Sequence, residues 1–177
     1  MNMNYKCLGW TPYEGGSYNG RVKTHPRILA IDFGGKYIGL AVSDPLGLTA
    51  SGLPTLKRSN KRGDLDHIRE LVQALQVEQI VVGHPLHLKG HAGERAKEAE
   101  RFAGWLRREL ELPVELYDER LTSVEAESLL RERGEAAPRS RQSRNQRVEA
   151  VNRIAAAVLL QSYLDERVAP RSVETNP

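Results

Sequence analysis

Asp32, Asp118 and Glu119 are the residues of this chain whose type and placement most readily suggest chemistry. Asp32 ends the apolar run Ile28-Leu29-Ala30-Ile31 and is followed by the turn Phe33-Gly34-Gly35-Lys36. Asp118 and Glu119 end a second run, Val114 to Tyr117, far along the chain. In α/β sheets ligands collect at the carboxyl ends of strands, and an acid ending a buried strand must face an open crevice to stay hydrated. If the two strands are neighbours, the carboxylates converge. Converging carboxylates repel one another unless a cation lies between them, and hard oxygen donors select Mg²⁺ or Mn²⁺. A single acid of this kind would more simply cap its strand or pair with a base such as Arg120. Three acids at the ends of two apolar strands, followed by a glycine turn or a capped helix, favour a metal site.

Other chemistry is less well supported. The Asp32 turn could present amides to a phosphate, as in two-lobed ATPases, but a chain of 177 residues builds only one such lobe, and no Walker-type glycine loop occurs. His84, His87 and His91 have helical spacing, yet Gly83, Pro85, Gly90 and Gly93 break any helix across them. They read as loop histidines, with His84 near enough to a strand end to touch a phosphate. Cys7 is the single cysteine, so neither an internal disulfide nor a multi-thiolate zinc site is available. Between Pro138 and Arg153 stand five arginines, Arg139, Arg141, Arg144, Arg147 and Arg153, against one acid, Glu149. This stretch reads as a basic loop that is either simply solvated or able to grip a polyanion.

The elements that would position these groups follow from periodicity. Two short apolar runs around the glycine turn predict an antiparallel hairpin, extended by Gly52 to Leu56. Leu65, Ile68, Val72 and Leu75 predict a helix, Ile80 to Gly83 a buried strand, and Ala99, Phe102, Ala103, Leu106 and Leu110 a second helix stopped by Pro113. Thr122 with Glu125 forms a capping box that opens a helix ending near Gly134. Val148, Val151, Ala155 and Leu159 share one face of a final helix running to about Asp165. Hairpin strands followed by alternating helices and strands give an α/β fold with a mixed sheet covered by helices. The expected division is a disordered extension over 1–26, one domain over 27–167 and a frayed tail over 168–177.

Composition agrees with a single soluble domain: 40% hydrophobic, 28% charged, and a net charge of +3 that permits a nucleic-acid partner. The longest apolar run, Ile154 to Leu160, is far short of a bilayer span, and no targeting segment is recognisable. A cytoplasmic protein without a membrane partner is expected.

Four blocks in order carry a resemblance: Ile31-Asp32-Phe33-Gly34 with Lys36 and the run Ile38 to Pro45; Val81 to Leu86; Asp118 to Glu127; and Ala155 to Leu164. Together, over about Arg27 to Arg167, they resemble the YqgF/RuvX family of Holliday-junction-resolvase-like proteins and pre-16S rRNA nucleases. The resemblance implies a ribonuclease H-like fold in a single domain. It also implies a requirement for Mg²⁺ or Mn²⁺ and hydrolysis of phosphodiesters in structured RNA, at the 5′ end of pre-16S rRNA in ribosomal particles, or in branched DNA. It assigns Asp32 and Glu119 as the catalytic acids and metal ligands, with Asp118 helping or orienting. Lys36 and Arg120 would neutralise the phosphate, and Arg139, Arg141, Arg144 and Arg147 would hold flanking backbone. Where the family has an acid ahead of the alanine-rich segment, this chain has Asn152, whose amide oxygen can ligate a metal but brings no charge. Asn152 shares a stripe with Leu159 and should point inward. Glu149 stands one turn earlier as a substitute acid, and Gly35 replaces a hydroxyl residue common in the family. Asn152 also opens an alternative: a nucleic-acid-binding or ribosome-assembly factor that keeps the fold without turnover. Cleavage of four-way DNA junctions would need a symmetric dimer, whereas RNA cleavage is open to a monomer.

Overall fold

A computed structural model describes residues 25–85, 93–118 and 141–168, with the backbone alone at 141–144 and 168. Strands β1 (Arg27–Phe33) and β2 (Tyr37–Ser43) form the expected antiparallel hairpin, and β3 (Ala50–Lys57) pairs antiparallel with β2. Helix α1 (Lys61–Ala74) leads to β4 (Val77–His84), parallel to β1. Helix α2 (Glu94–Leu110) then leads to β5 (Val114–Asp118), parallel to β4. The strand order is β3-β2-β1-β4-β5. β1 and β5 are therefore not adjacent, because β2 holds one edge of β1 and the first helical crossover delivers β4 to the other.

Each face of the sheet has its own core. Leu29, Ile31, Ile80 and Val82 pack under Leu65 and Ile68 of α1 and Phe102 and Leu106 of α2. On the opposite face Ile28, Ala30, Ala41 and Val81 pack under a long helix, α3 (Arg141–Val168), through Ala156, Leu159, Leu160, Tyr163 and Leu164. Burial on both faces explains why β1 reads as an unbroken apolar run. The arginine-bearing stretch from Arg141 is not a loop but the first turns of α3. Arg and Gln are good helix formers, and no Gly or Pro stands between Pro138 and Pro170 to interrupt them.

Helix α1 starts at Asn60, whose side-chain oxygen accepts from the Gly63 amide at 2.9 Å. Asn60→Ala is expected to cost about 1 kcal/mol, measurable as a lower urea midpoint with unchanged slope. His25, the first described residue, donates its amide to the Pro45 carbonyl at 3.1 Å. The rest of the expected extension up to residue 24, the helix from Thr122 to Gly134 and the tail from Ala169 lie outside the described residues. No helix among the described residues is long and apolar enough to cross a membrane.

Candidate active site

Asp32 pairs with Gly39 across the β1–β2 hairpin, one position beyond the pair Ile31 and Val82 that ties β1 to β4. Side chains alternate along a strand, so Asp32 shares the α3 face with Ile28 and Ala30. The residue is half-buried, and among the described residues no group hydrogen-bonds to its carboxylate. Loss of hydration is the cause that lifts its pKa to about 6, well above the ordinary value of 3.8.

Gly39 lets the Asn152 backbone come close to Asp32. A Cβ on Gly39 would lie 2.1 Å from the Asn152 carbonyl oxygen and 3.2 Å from the Asp32 Cβ. Only a residue without a side chain lets the α3 backbone come this close to β2. A Cβ on Gly34 would lie 3.7 Å from Asn152 Oδ1, so that oxygen faces the turn after Asp32. The other side-chain atom, Nδ2, donates to the Val148 carbonyl at 2.6 Å. Asn152 thus points toward the sheet as its stripe predicts, but it is half-buried and partnered, and it does not carry the cost of an orphaned polar group. The Glu149 side chain is exposed, and its carbonyl accepts from the Thr55 hydroxyl at 2.7 Å. Residue 149 therefore lies over the edge strand β3, two strands from β1.

Asp118 ends β5 at the same end of the sheet, opposite His84 in register. One strand intervenes between β5 and β1, a separation of roughly 10 Å. Tyr117 packs with the α3-side core, so the alternation turns Asp118 to the other face, with Val114. The sheet therefore does not bring Asp118 and Asp32 face to face. His84 also lies on the α2 side, with Nε2 2.9 Å from Glu100 Oε1, and is not aimed at Asp32. Lys36 is exposed beside Asp32, its Nζ 5.4 Å from the centre of the Tyr37 ring. Arg147 is half-buried on α3, and Arg141 and Arg144 are placed on that helix by its backbone. Glu119, Arg120, Arg139, His87 and His91 lie outside the described residues. Among the described residues no three His, Cys, Asp or Glu side chains gather as a metal group.

Two residues that no motif marked support the turn. Arg58, just after β3, donates through Nη1 to the carbonyls of Gly34 (3.2 Å) and Gly35 (3.4 Å) and through Nε to Asp64 (3.4 Å). Asp64 is 1% exposed and also accepts from the Ser59 amide at 3.0 Å. No sequence signal pairs an arginine and an aspartate within one polar run. Gly39 did have a signal: an isolated glycine inside a strand pattern marks a close backbone approach.

A family model described as "RuvX: Holliday junction resolvase" matches residues 26–166. A protein of Koribacter versatilis (strain Ellin345), named "Putative pre-16S rRNA nuclease", is 50% identical over 143 residues, covering 81% of this chain and 89% of that protein. A protein of the same name from Geobacillus kaustophilus (strain HTA426) is 46% identical over 143 residues, 80% of this chain and 99% of its own. Among solved structures, RuvC of T. thermophilus in complex with a Holliday junction substrate aligns with a TM-score of 0.49 and 20% identity over 81% of this chain and 96% of that one.

Proposed function

The chain belongs to the RuvX family, and from that premise we propose that it is a metal-dependent nuclease that hydrolyses phosphodiesters in structured RNA. Its substrate in this reading is the 5′ end of pre-16S rRNA in the cytoplasm. The observation that carries the reading is the Asp32 carboxylate, half-buried at a strand's carboxyl end and without a described partner, with the Asn152 Oδ1 turned toward the adjoining Gly34. An unpartnered carboxylate with a raised pKa is poised for a cation, and the donors around it are hard oxygens, which suit Mg²⁺ or Mn²⁺.

Asp32 and Asn152 supply two of the oxygens. We take Glu119 as the second acid, as the family resemblance implies, and give Asp118, which the alternation of β5 turns to the other face, no ligand role. A divalent cation bound there would supply charge stabilisation at phosphorus and would lower the pKa of a water so that hydroxide is available as the nucleophile. Lys36 neutralises the phosphate from the exposed side of the turn. Arg141, Arg144 and Arg147 lie along the start of α3 and, with Arg120 and Arg139, hold flanking backbone. Their contribution is sequence-blind and weakens with salt.

The test is incubation of a 5′-extended small-subunit rRNA precursor with the protein and Mn²⁺ or Mg²⁺, followed by end mapping, with a four-way DNA junction as a parallel substrate. A new RNA 5′ end that depends on metal and on Asp32 supports the reading. Salt-sensitive RNA binding with no product at any metal concentration overturns it in favour of a binding factor, and cleavage of the junction alone changes the substrate class.

Asn152 sets how tightly metal is held. Asn152→Asp adds a charge beside Asp32 and replaces the amide donor to Val148 with an oxygen that the carbonyl repels, which drives the new carboxylate toward the crevice. Mn²⁺ affinity, read by calorimetry, is expected to rise about tenfold, the equivalent of one extra charge-assisted contact. The metal-free variant should melt lower than the parent, because two carboxylates then face one another.

A further inference from the structure

The Arg58 guanidinium is held on three sides. Asp64 takes its Nε, the Phe33 ring lies 4.4 Å beneath its central carbon, and the two consecutive carbonyls of Gly34 and Gly35 converge on its Nη1. Phe33 is fixed in turn by stacking on Phe102 of α2, with ring centres 4.2 Å apart. Arg58 therefore lies on the α1/α2 side of the turn, opposite the face that Asp32 shares with Asn152. In a trans peptide the carbonyl and the amide hydrogen point in opposite directions. Two carbonyls drawn to the α1/α2 side turn the amides of Gly35 and Lys36 toward the other side. Successive amides aimed together form an anion-binding concavity. Space is open there: Gly35 is exposed, and a Cβ on it would meet nothing within 4 Å.

We propose that Arg58 is the positioning residue of a phosphate seat: it holds the carbonyls of Gly34 and Gly35 so that the amides of Gly35 and Lys36 receive a backbone phosphate of RNA beside Asp32. This rests on the nuclease reading for the identity of the ligand. Arg58 touches no substrate. Lysine cannot take its place, since a single ammonium lacks the planar fork that serves two carbonyls and a carboxylate at once while stacking on a ring. The Lys36 ammonium adds its charge at the rim of the seat.

The experiment follows the amide signals of Gly35 and Lys36 by NMR in the full chain while a short single-stranded RNA is added without divalent metal. Both signals are expected to shift in the parent protein. In Arg58→Lys the RNA affinity should fall about tenfold. Mn²⁺ affinity should stay within about twofold, because Asp32 is held by β1–β2 pairing and not by the turn. A purely structural Arg58 would instead lower the melting temperature and weaken metal and RNA together, and that result overturns the proposal. So do Gly35 and Lys36 amides that stay still while other signals move, a measurement on the parent protein that decides the matter even if the variant fails to fold. Cleavage with unmoved amides sinks the seat and leaves the nuclease standing. Shifted amides, with the expected variant behaviour and no cleavage of any RNA, sink the nuclease and leave the seat.

Discussion

Asp32→Asn is expected to make the metal-free protein more stable at neutral pH while removing its activity. The sign follows from where the carboxyl holds its proton. Its folded pKa, about 6, lies above the ordinary 3.8, so the folded state binds the proton more tightly than the unfolded chain does. Stability therefore declines as pH rises from about 4 to about 6, and the full penalty persists above that window. An amide in the same place carries no such penalty. The gain at about pH 7.5 is on the order of 2–3 kcal/mol, or roughly 5–10 °C in melting temperature for a chain of this size. At about pH 3 the two proteins should melt together, since the parent carboxyl is then mostly protonated in both states. Added Mn²⁺ should reverse the order at a thousandfold excess over its dissociation constant, raising the parent by about 4.1 kcal/mol and the variant hardly at all. Cleavage should fall by about a thousandfold, some 4 kcal/mol of barrier. Differential scanning fluorimetry across pH, with and without Mn²⁺, reads the first part, and single-turnover RNA cleavage reads the second. A variant no more stable than its parent at neutral pH would show that the carboxylate is not desolvated, and the metal argument would lose its basis.

Gly39→Ala is expected to be among the most damaging single-methyl additions in the chain. The new Cβ would stand 2.1 Å from the Asn152 carbonyl oxygen and 2.8 Å from its carbon, both backbone atoms of a packed helix. Neither can rotate away, so α3 must lift from β2. The expected cost is about 3 kcal/mol or more, seen as a lower denaturant midpoint. Activity should fall further than stability alone explains, because lifting α3 also withdraws the Asn152 oxygen from Asp32. Gly35→Ala is the matched control: its Cβ meets no protein atom, so stability should change by less than about 0.5 kcal/mol. Equal stability for both variants would show that α3 does not approach β2 closely, and with it the contact between Asn152 and the site would fall.

Much of this was legible in the sequence because it depends on local pattern. The apolar runs of β1 and β4, the helical stripes of α1 and α2, and the acids that end β1 and β5 are consequences of side-chain period and strand-end chemistry, which a linear reading detects. The Asn152 departure is likewise visible in one dimension, since it needs only a matched block. Other features required the folded chain. The place of β4 between β1 and β5 follows from which edge of β1 the hairpin leaves free, and that pairing joins residues distant in sequence. The face on which each strand-end acid emerges follows from register, so Asp32 and Asp118 look alike in the sequence and lie on opposite sides of the sheet. Arg141, Arg144 and Arg147 resembled a loop because their polar run has no apolar stripe, whereas in the structure they extend α3 beyond its packed part. Arg58 and Asp64 had no signature at all, since their value lies in reaching a turn more than twenty positions upstream. Which elements form and which acids end them could be read from the chain alone, because both depend on near neighbours. Which groups share a face and come together at Asp32 emerges from folding, because it depends on strand order, on register and on Gly39, which lets α3 settle against the sheet.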